Sequence, residues 1–364
     1  MLHVVGARPN FMKVAPIHRA IQNRGKLKQR LIHTGQHYDT NMSAVFFADL
    51  GLPQPDLHLG IGSGSHAEQT ARVMIELEKL LIGEPPDLVS VVGDINSTLA
   101  AALVSAKMQI PLAHVEAGLR SRDRSMPEEL NRLVTDQLAD LLLTPSVDAN
   151  ENLRREGIAP ERIFFVGNVM IDSLLASRRE AEKLSTIAEL GLRPREYAVC
   201  TLHRPSNVDD RAKLSAIIGA IGEIAAQVPI LFSVHPRTRR RMEEYGLDRH
   251  AQSFGGLRIV EPMGYLPFLA LLSQARLVLT DSGGIQEESS ALGVPCLTLR
   301  ENTERPITIE LGTNLLVGTN PERIRSEAIK VLEGKGKQGR IPDKWDGHTG
   351  ERIAAVFERA LAVD

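Results

Sequence analysis

Short apolar runs of four to seven residues alternate along this chain with longer amphipathic stretches. Runs at 2–6, 31–34, 87–93, 111–116 and 141–145 predict strands, and a 3.6-residue apolar period predicts helices at 11–24, 66–81, 97–108 and 130–140. The pattern then restarts. Strands are expected at 197–202, 230–234, 257–260, 275–280, 295–299 and 315–317, with helices at 212–227, 265–273, 285–292, 321–333 and 350–361. Buried strands alternating with helices signal a parallel sheet. The restart predicts an α/β protein of two doubly wound, Rossmann-like units in tandem, with the boundary in a charged helical connector around 168–193. The domains are therefore drawn at 1–170 and 171–349. The Gly/Lys-rich segment 334–348 reads as an exposed loop.

In open parallel sheets, ligands bind beyond the carboxyl ends of the strands. The polar, glycine-rich residues cluster at those ends: Gly6-Ala7-Arg8-Pro9-Asn10, Gly35-Gln36-His37, Gly93-Asp94-Ile95-Asn96, Glu116-Ala117-Gly118, His203-Arg204, His235-Pro236-Arg237 and Asp281-Ser282-Gly283-Gly284. Both halves contribute, so a ligand in the interdomain cleft is the simplest expectation.

The segment LVLT-DSGG-IQEE is a strand, a tight turn and a helix start. Its glycines allow close backbone approach, and the helix N-terminus suits a phosphate. A capped helix with turn glycines would look the same. Glu288 lies one turn into that helix, within reach of a ribose hydroxyl or simply as an acid favoured in the first turn. Arg8 and Lys13 follow the first strand, as cations for a polyphosphate or as solvated helix-end charges. The GxGxxG fingerprint is absent there, which argues against a dehydrogenase. Asp94 and Glu116 end buried strands, where carboxylates serve acid/base work or cap loops. Glu128 and Arg132 stand i,i+4, the spacing of an intrahelical ion pair. His203 and His235 end strands as proton shuttles, phosphate donors or structural histidines. Phe268 is a stacking face for a base or a core residue.

Composition narrows the classes. The 364 residues are 43% hydrophobic and 24% charged, with a net charge of −2, ordinary for a soluble globular chain and without the basic excess of a nucleic-acid binder. Cys200 and Cys296 sit in apolar runs and read as buried hydrophobes, with no disulfide or zinc spacing. No metal site is expected. No leader-like h-region and no membrane-length apolar run are seen, so a cytoplasmic protein that spans no membrane is expected.

In this order, GARPNFMK (6–13), TGQH (34–37), VGDINST (92–98), HVEAGLRS (114–121), PEELNR (127–132), TLHRPSNVD (201–209), VHPRT (234–238), YLPF (265–268), TDSGGIQEE (280–288) and ENTERP (301–306) resemble the non-hydrolysing UDP-N-acetylglucosamine 2-epimerase family. The resemblance runs over residues 4 to 317. It implies the glycosyltransferase-B type of two-domain fold, a homodimer, and a terminal helix (350–364) packed back on the first domain. It implies that Arg8 and Phe268 bracket the uracil, with the Met263 backbone near the base edge. Glu288 would hold the ribose, and Ser282, Gly283, Gly284, His203 and Arg305 the diphosphate. Lys13, Asp94, Glu116, Glu128 and Arg132 would surround the sugar. TGQH keeps a glutamine and histidine of the regulatory nucleotide site of bacterial members, while Asp39 stands where they carry a second glutamine. HRPSNVDD also occurs in relatives acting on 2,3-diacetamido uronic acid sugars.

The chemistry that this implies needs no redox cofactor. C2 of an acetamido sugar is not next to a ring carbonyl, and without a nicotinamide no ketone forms at C3. Loss of UDP from C1 with the C2 proton, then re-addition after protonation on the other face, inverts C2. Such a route needs a cradle for the departing diphosphate and carboxylates for the proton, shared among Asp94, Glu116 and Glu128. A glycosyltransferase of the same fold, a hydrolysing epimerase and a non-catalytic nucleotide-sugar sensor are the competing readings.

Overall fold

The computed structural model describes residues 1–36 and 52–362, with the side chain of Arg8 outside that description. His37 and Asp39 also lie outside the described residues. The chain divides into two compact units, one of Met1–Ser173 with Asp343–Asp364, the other of Leu174–Pro342.

The first unit holds β1 (Leu2–Val5), β2 (Arg30–His33), β3 (Leu57–His58), β4 (Val89–Val92), β5 (Leu112–Val115), β6 (Leu141–Thr144) and β7 (Ile163–Phe165). They lie in the order β3-β2-β1-β4-β5-β6-β7, each pair parallel. The second unit repeats the plan with β8 (Ala198–Thr201), β9 (Ile230–Ser233), β10 (Leu257–Val260), β11 (Leu277–Thr280), β12 (Cys296–Thr298) and β13 (Asn314–Leu316), in the order β10-β9-β8-β11-β12-β13. The expected pair of parallel α/β sheets is thus present. Central strands such as Val89–Val92 and Leu277–Thr280 are buried at every position, because helices cover both faces.

The helices owe their positions to local chemistry as well as to this burial. His66–Gly83 opens on a capping box, Ser65 with Glu68, and buries Val73, Leu77 and Leu81 at i, i+4, i+8. Each of those leucines contributes about 1.5–3 kcal/mol of burial. The first helix runs Arg8–Arg24, one turn earlier than its apolar pattern predicts, because Pro9 fits an N-terminal turn. Pro16 lies inside it and cannot donate to the carbonyl of Met12. Ser173 Oγ supplies that hydrogen bond instead.

The final helix, Thr349–Leu361, packs on the Arg8–Arg24 helix within the first unit. A Cβ at Gly350 would lie 2.6 Å from the Pro16 carbonyl oxygen, so only glycine permits the approach. Its amide donates to Asp172 Oδ2 at 2.7 Å, and Arg24 forks onto Glu358 at 2.7 and 2.6 Å.

In each sheet the strand order reverses once, between β1 and β4 and between β8 and β11. Ligands of doubly wound sheets sit at such points. Residues after β1, β4, β8 and β11 are therefore where chemistry belongs.

Candidate active site

At the first switch point, Asn10 pins two turns together. Its Oδ1 accepts from the amides of Gly6 and Ala7 at 3.2 and 3.1 Å, and its Nδ2 donates to the Val92 carbonyl at 3.0 Å. Beyond Val92 the chain turns through Gly93 at φ +70°, where a Cβ would sit 3.3 Å from Lys13 Nζ and 3.5 Å from Glu116 Oε2. The glycine thus lets the backbone close over the ion pair that Lys13 and Glu116 form, both side chains under 10% exposed. Glu116 itself has φ +71°. A left-handed backbone costs an L-residue about 1–2 kcal/mol, and it persists at a non-glycine position only where the surrounding structure holds it.

Asp94, with 30% of its side chain exposed, pairs with Arg132. The i,i+4 spacing predicted a Glu128–Arg132 pair. The guanidinium instead takes Asp94 and Glu129, the latter at 2.6 Å. Glu129 can hold it because Glu129 is itself fixed, accepting from the Ser121 amide at 2.9 Å, the Ser121 hydroxyl at 3.0 Å and the Arg122 amide at 2.9 Å. Burial works against this carboxylate, but the Ser121 amide and Arg132 outweigh it and hold its pKa below the usual range. Asn131 completes the frame by donating to the Asp94 carbonyl at 2.8 Å. Glu128, released from Arg132, is half-buried and lines a cavity of about 320 Å³ with Asp94, Asn96, Asn131, Gln36 and His66. Lys13, Asp94, Glu116, Glu128 and Arg132 are therefore brought to one end of the first sheet. Arg8 opens the helix after β1.

The second switch point holds the residues that the sequence marks for an anion. Asp281, fully buried after β11, accepts from the amides of His203 (3.1 Å) and Arg204 (2.9 Å) and from Asn207 Nδ2 (3.1 Å). It pairs with His203 Nδ1 at 2.8 Å. Burial raises this carboxyl, yet His203 and the two amides hold it below the ordinary aspartate range. The arrangement fixes His203 as the Nδ1–H tautomer, so Nε2 is the position that meets a partner or a proton. His235 lies 5.7 Å from it, ring centre to ring centre. Its Nδ1 accepts from the Arg237 amide at 3.2 Å, which caps the Pro236–Tyr245 helix. Burial and His203 lower the His235 pKa, as an acceptor nitrogen requires.

Ser282 is the N-cap of the Gly283–Leu292 helix, with Gly283 and Gly284 in its first turn. The first intrahelical bond is made by Gln286 to the Ser282 carbonyl, so the amides of the intervening residues present the positive end of the helix. The two glycines differ in their reason. A Cβ at Gly283 would meet Arg305 Nη1 at 2.6 Å and Glu304 Oε1 at 2.7 Å, whereas a Cβ at Gly284 would meet nothing within 4 Å. If this turn holds the diphosphate that the resemblance implies, Gly284→Ala leaves thermal stability intact and weakens UDP binding about tenfold, or roughly 1.4 kcal/mol. Unchanged UDP affinity by titration calorimetry would remove this turn from the nucleotide site.

Beside that turn, Glu304 is 2% exposed among three guanidinium groups. Arg300 lies at 2.8 Å, Arg305 at 2.5 Å and Arg204 at 3.5 Å, while Arg305 also reaches Glu287 at 2.9 Å. Burial opposes its charge, but Arg305 and Arg300 hold the carboxyl well below the usual glutamate range. Arg305 was the member of this cluster expected from the sequence. Arg204, Arg300, Glu287 and Glu304 were not singled out there, although Arg204, Glu287 and Glu304 stand inside the motifs TLHRPSNVD, TDSGGIQEE and ENTERP. Glu288 is buried on the same helix. Met263 and Phe268 are half-buried against the core around Val199 and Leu271. Cys200 and Cys296 are free and buried, and burial pushes the Cys296 thiol up to about 12.

Among the described residues no cluster of three or more His, Cys, Asp or Glu is suited to a metal ion, and no helix is long and apolar enough to cross a membrane. Comparison with known proteins agrees with the geometry. The family model for UDP-N-acetylglucosamine 2-epimerase matches residues 19–358. The chain is similar to the UDP-N-acetylglucosamine 2-epimerase of Methanocaldococcus jannaschii, 45% identical over 97% of both chains. It is similar too to the UDP-2,3-diacetamido-2,3-dideoxy-D-glucuronate 2-epimerase of Pseudomonas aeruginosa, 42% identical over 99% of both. The crystal structure of the M. jannaschii enzyme in complex with UDP-GlcNAc and UDP superposes with a TM-score of 0.90, at 45% identity, over 98% of this chain and 99% of that one. Two parallel sheets on the glycosyltransferase-B plan, with their polar residues gathered at the switch points, thus belong to an isomerase: the chain is a member of the UDP-N-acetylglucosamine 2-epimerase family.

Proposed function

We propose that the protein reversibly epimerises UDP-N-acetylglucosamine to UDP-N-acetylmannosamine by eliminating and re-adding UDP. The observation that carries this is the division of labour between switch points, acids in the first unit and an anion cradle in the second. A base takes the C2 proton, its electron pair forms the C1–C2 double bond, and the C1–O bond breaks to release UDP. The product is 2-acetamidoglucal. Protonation of C2 on the opposite face and return of the phosphate oxygen to C1 complete the inversion. The step is redox-neutral, so no nicotinamide is consumed.

Asp94, Glu116 and Glu128 share the proton transfers, with Lys13 and Arg132 setting their charge and orientation. Ser282, Gly283, Gly284, Arg305 and His203 Nε2 take the charge that grows on the leaving diphosphate. Glu288 holds the ribose, and Arg8 and Phe268 bracket the uracil beside the Met263 backbone. The working form is a cytoplasmic homodimer. Leu130 and Val134, about 40% exposed one turn apart on the Pro127–Leu138 helix, support a face for a second copy.

A second substrate is favoured by the P. aeruginosa relative, whose name specifies a 2,3-diacetamido uronate. Incubation in D2O, followed by proton NMR, separates the readings. Loss of the C2 proton signal from UDP-GlcNAc, with UDP-ManNAc appearing, is expected. Exchange only with the 3-acetamido uronic sugar redirects the substrate and keeps the chemistry. Absence of exchange with either would leave a glycosyltransferase or a sensor, and release of UDP with free ManNAc would mean hydrolysis.

A further inference from the structure

His114 is fully buried on β5, two residues before Glu116. Its Nδ1 lies 2.6 Å from Asp136 Oδ1 and its Nε2 lies 2.8 Å from the Gly93 carbonyl oxygen. Gly93 immediately precedes Asp94. Asp136, also fully buried, accepts from the Gly118 amide at 3.0 Å through its other oxygen. One imidazole–carboxylate pair therefore ties down both turns that carry acids, Gly93-Asp94 and Glu116-Ala117-Gly118.

A carbonyl oxygen has no proton to give. Asp136 already receives N–H groups from Gly118 and from Arg120, whose Nη2 is 2.7 Å away. Each ring nitrogen of the imidazole thus faces an acceptor, Asp136 on one side and the Gly93 carbonyl on the other. Arg120 continues to Glu156 at 2.6 Å. The series His114–Asp136–Arg120–Glu156 forms one largely buried chain of contacts. Burying it gains little stability over an apolar core of the same volume, because desolvation offsets the attraction. What it does supply is directional bonds to two chosen backbone groups. Glu116, a non-glycine residue, adopts a left-handed backbone, a conformation that needs such external fixing.

We propose that His114 and Asp136 are positioning residues that set the orientation and separation of the Asp94 and Glu116 carboxylates without touching the substrate. The proposal rests on the reading that those two acids move the C2 proton. Displacing a reacting group by about 1 Å costs on the order of 10²-fold in rate. His114→Asn can bond one of the two turns but not both. Asp136→Asn keeps an acceptor for Gly118 and removes the carboxylate that His114 and Arg120 share.

The test uses the full-length enzyme, with C2–H exchange in D2O, UDP titration and the pH profile of kcat measured for each variant. His114→Asn and Asp136→Asn are each expected to lower kcat roughly 100-fold, to displace the pH profile, and to leave UDP affinity unchanged. The double variant is expected to cost no more than either single one, since the pair acts as a unit. Circular dichroism reports folding. Should His114→Asn not fold, the nearly isosteric Asp136→Asn decides the matter. Folded variants with wild-type kcat and pH profile, beside inactive Asp94→Asn and Glu116→Gln, would overturn the positioning role and leave the acids standing. Active Asp94→Asn and Glu116→Gln would overturn the underlying reading itself.

Discussion

Asp94→Asn and Glu116→Gln are each expected to slow C2 exchange by about 10²- to 10⁴-fold, the usual worth of a positioned proton-transfer group, while UDP binding stays intact. The expectation follows from where the two carboxylates sit. Both end strands beside the first switch point, whereas the amides and guanidinium groups suited to diphosphate belong to the second unit. Each acid is also held by a cation rather than by packing, Asp94 by Arg132 and Glu116 by Lys13. An amide keeps the shape and the hydrogen-bonding reach but cannot take a proton. In the Asp94 variant Arg132 keeps Glu129, and Asp94 is partly exposed, so stability changes little. Proton NMR in D2O gives the rate, and calorimetric titration with UDP gives the affinity. Turnover within a factor of a few of wild type in both variants would remove the acids from the mechanism.

Glu304→Ala is the substitution expected to cost most in stability, about 3–5 kcal/mol, the penalty for leaving buried cations unpaired. Three guanidinium groups converge on that one carboxylate, and Gly283 packs directly against the Arg305–Glu304 contact. The pH dependence has a definite sign. The folded pKa is depressed below the unfolded glutamate value of about 4.3. Its contribution is therefore complete above that value and is lost as pH falls from there toward the folded pKa. Urea midpoints measured at pH 7 and pH 3.5 should show the largest gap between wild type and variant at pH 7, narrowing on acidification. An equal gap at both pH values would contradict the charged, arginine-bound state of Glu304.

Much of this was legible in advance. The strands were, because a sheet covered on both faces demands uninterrupted apolar runs such as those around Val91 and Leu279. Elements stabilised by their ends were not. Pro236–Tyr245 is a run of arginines and glutamates that buries only Thr238 and Met242. It is a helix because His235 caps it, Pro236 opens it and Gly246 closes it at φ +68°. Val147–Arg155 escapes notice because two of its four buried positions are asparagines, and β3 because its two residues are exposed. In the site, residue types at strand ends pointed to the acids and to the DSGG turn. Partnerships did not follow, because Arg132 chose between Glu128 and Glu129 through Ser121 and Arg122, a choice invisible in spacing. Glu304 escaped notice because an acid among arginines reads as a solvated charge run until it is found buried.

The first unit is discontinuous in the chain, and this bears on how the protein comes off the ribosome. Its sheet is complete by Phe165, yet the helix Thr349–Leu361 that packs on Arg8–Arg24 is synthesised only after the second unit. The whole second unit, Leu174–Pro342, emerges in between. A nascent chain therefore holds a half-clad first unit for the time it takes to make 169 residues, and the inserted unit can finish folding before the one that began. Termination before residue 343 would strip that cover permanently and present the first helix's apolar face to the chaperones and proteases that patrol nascent chains.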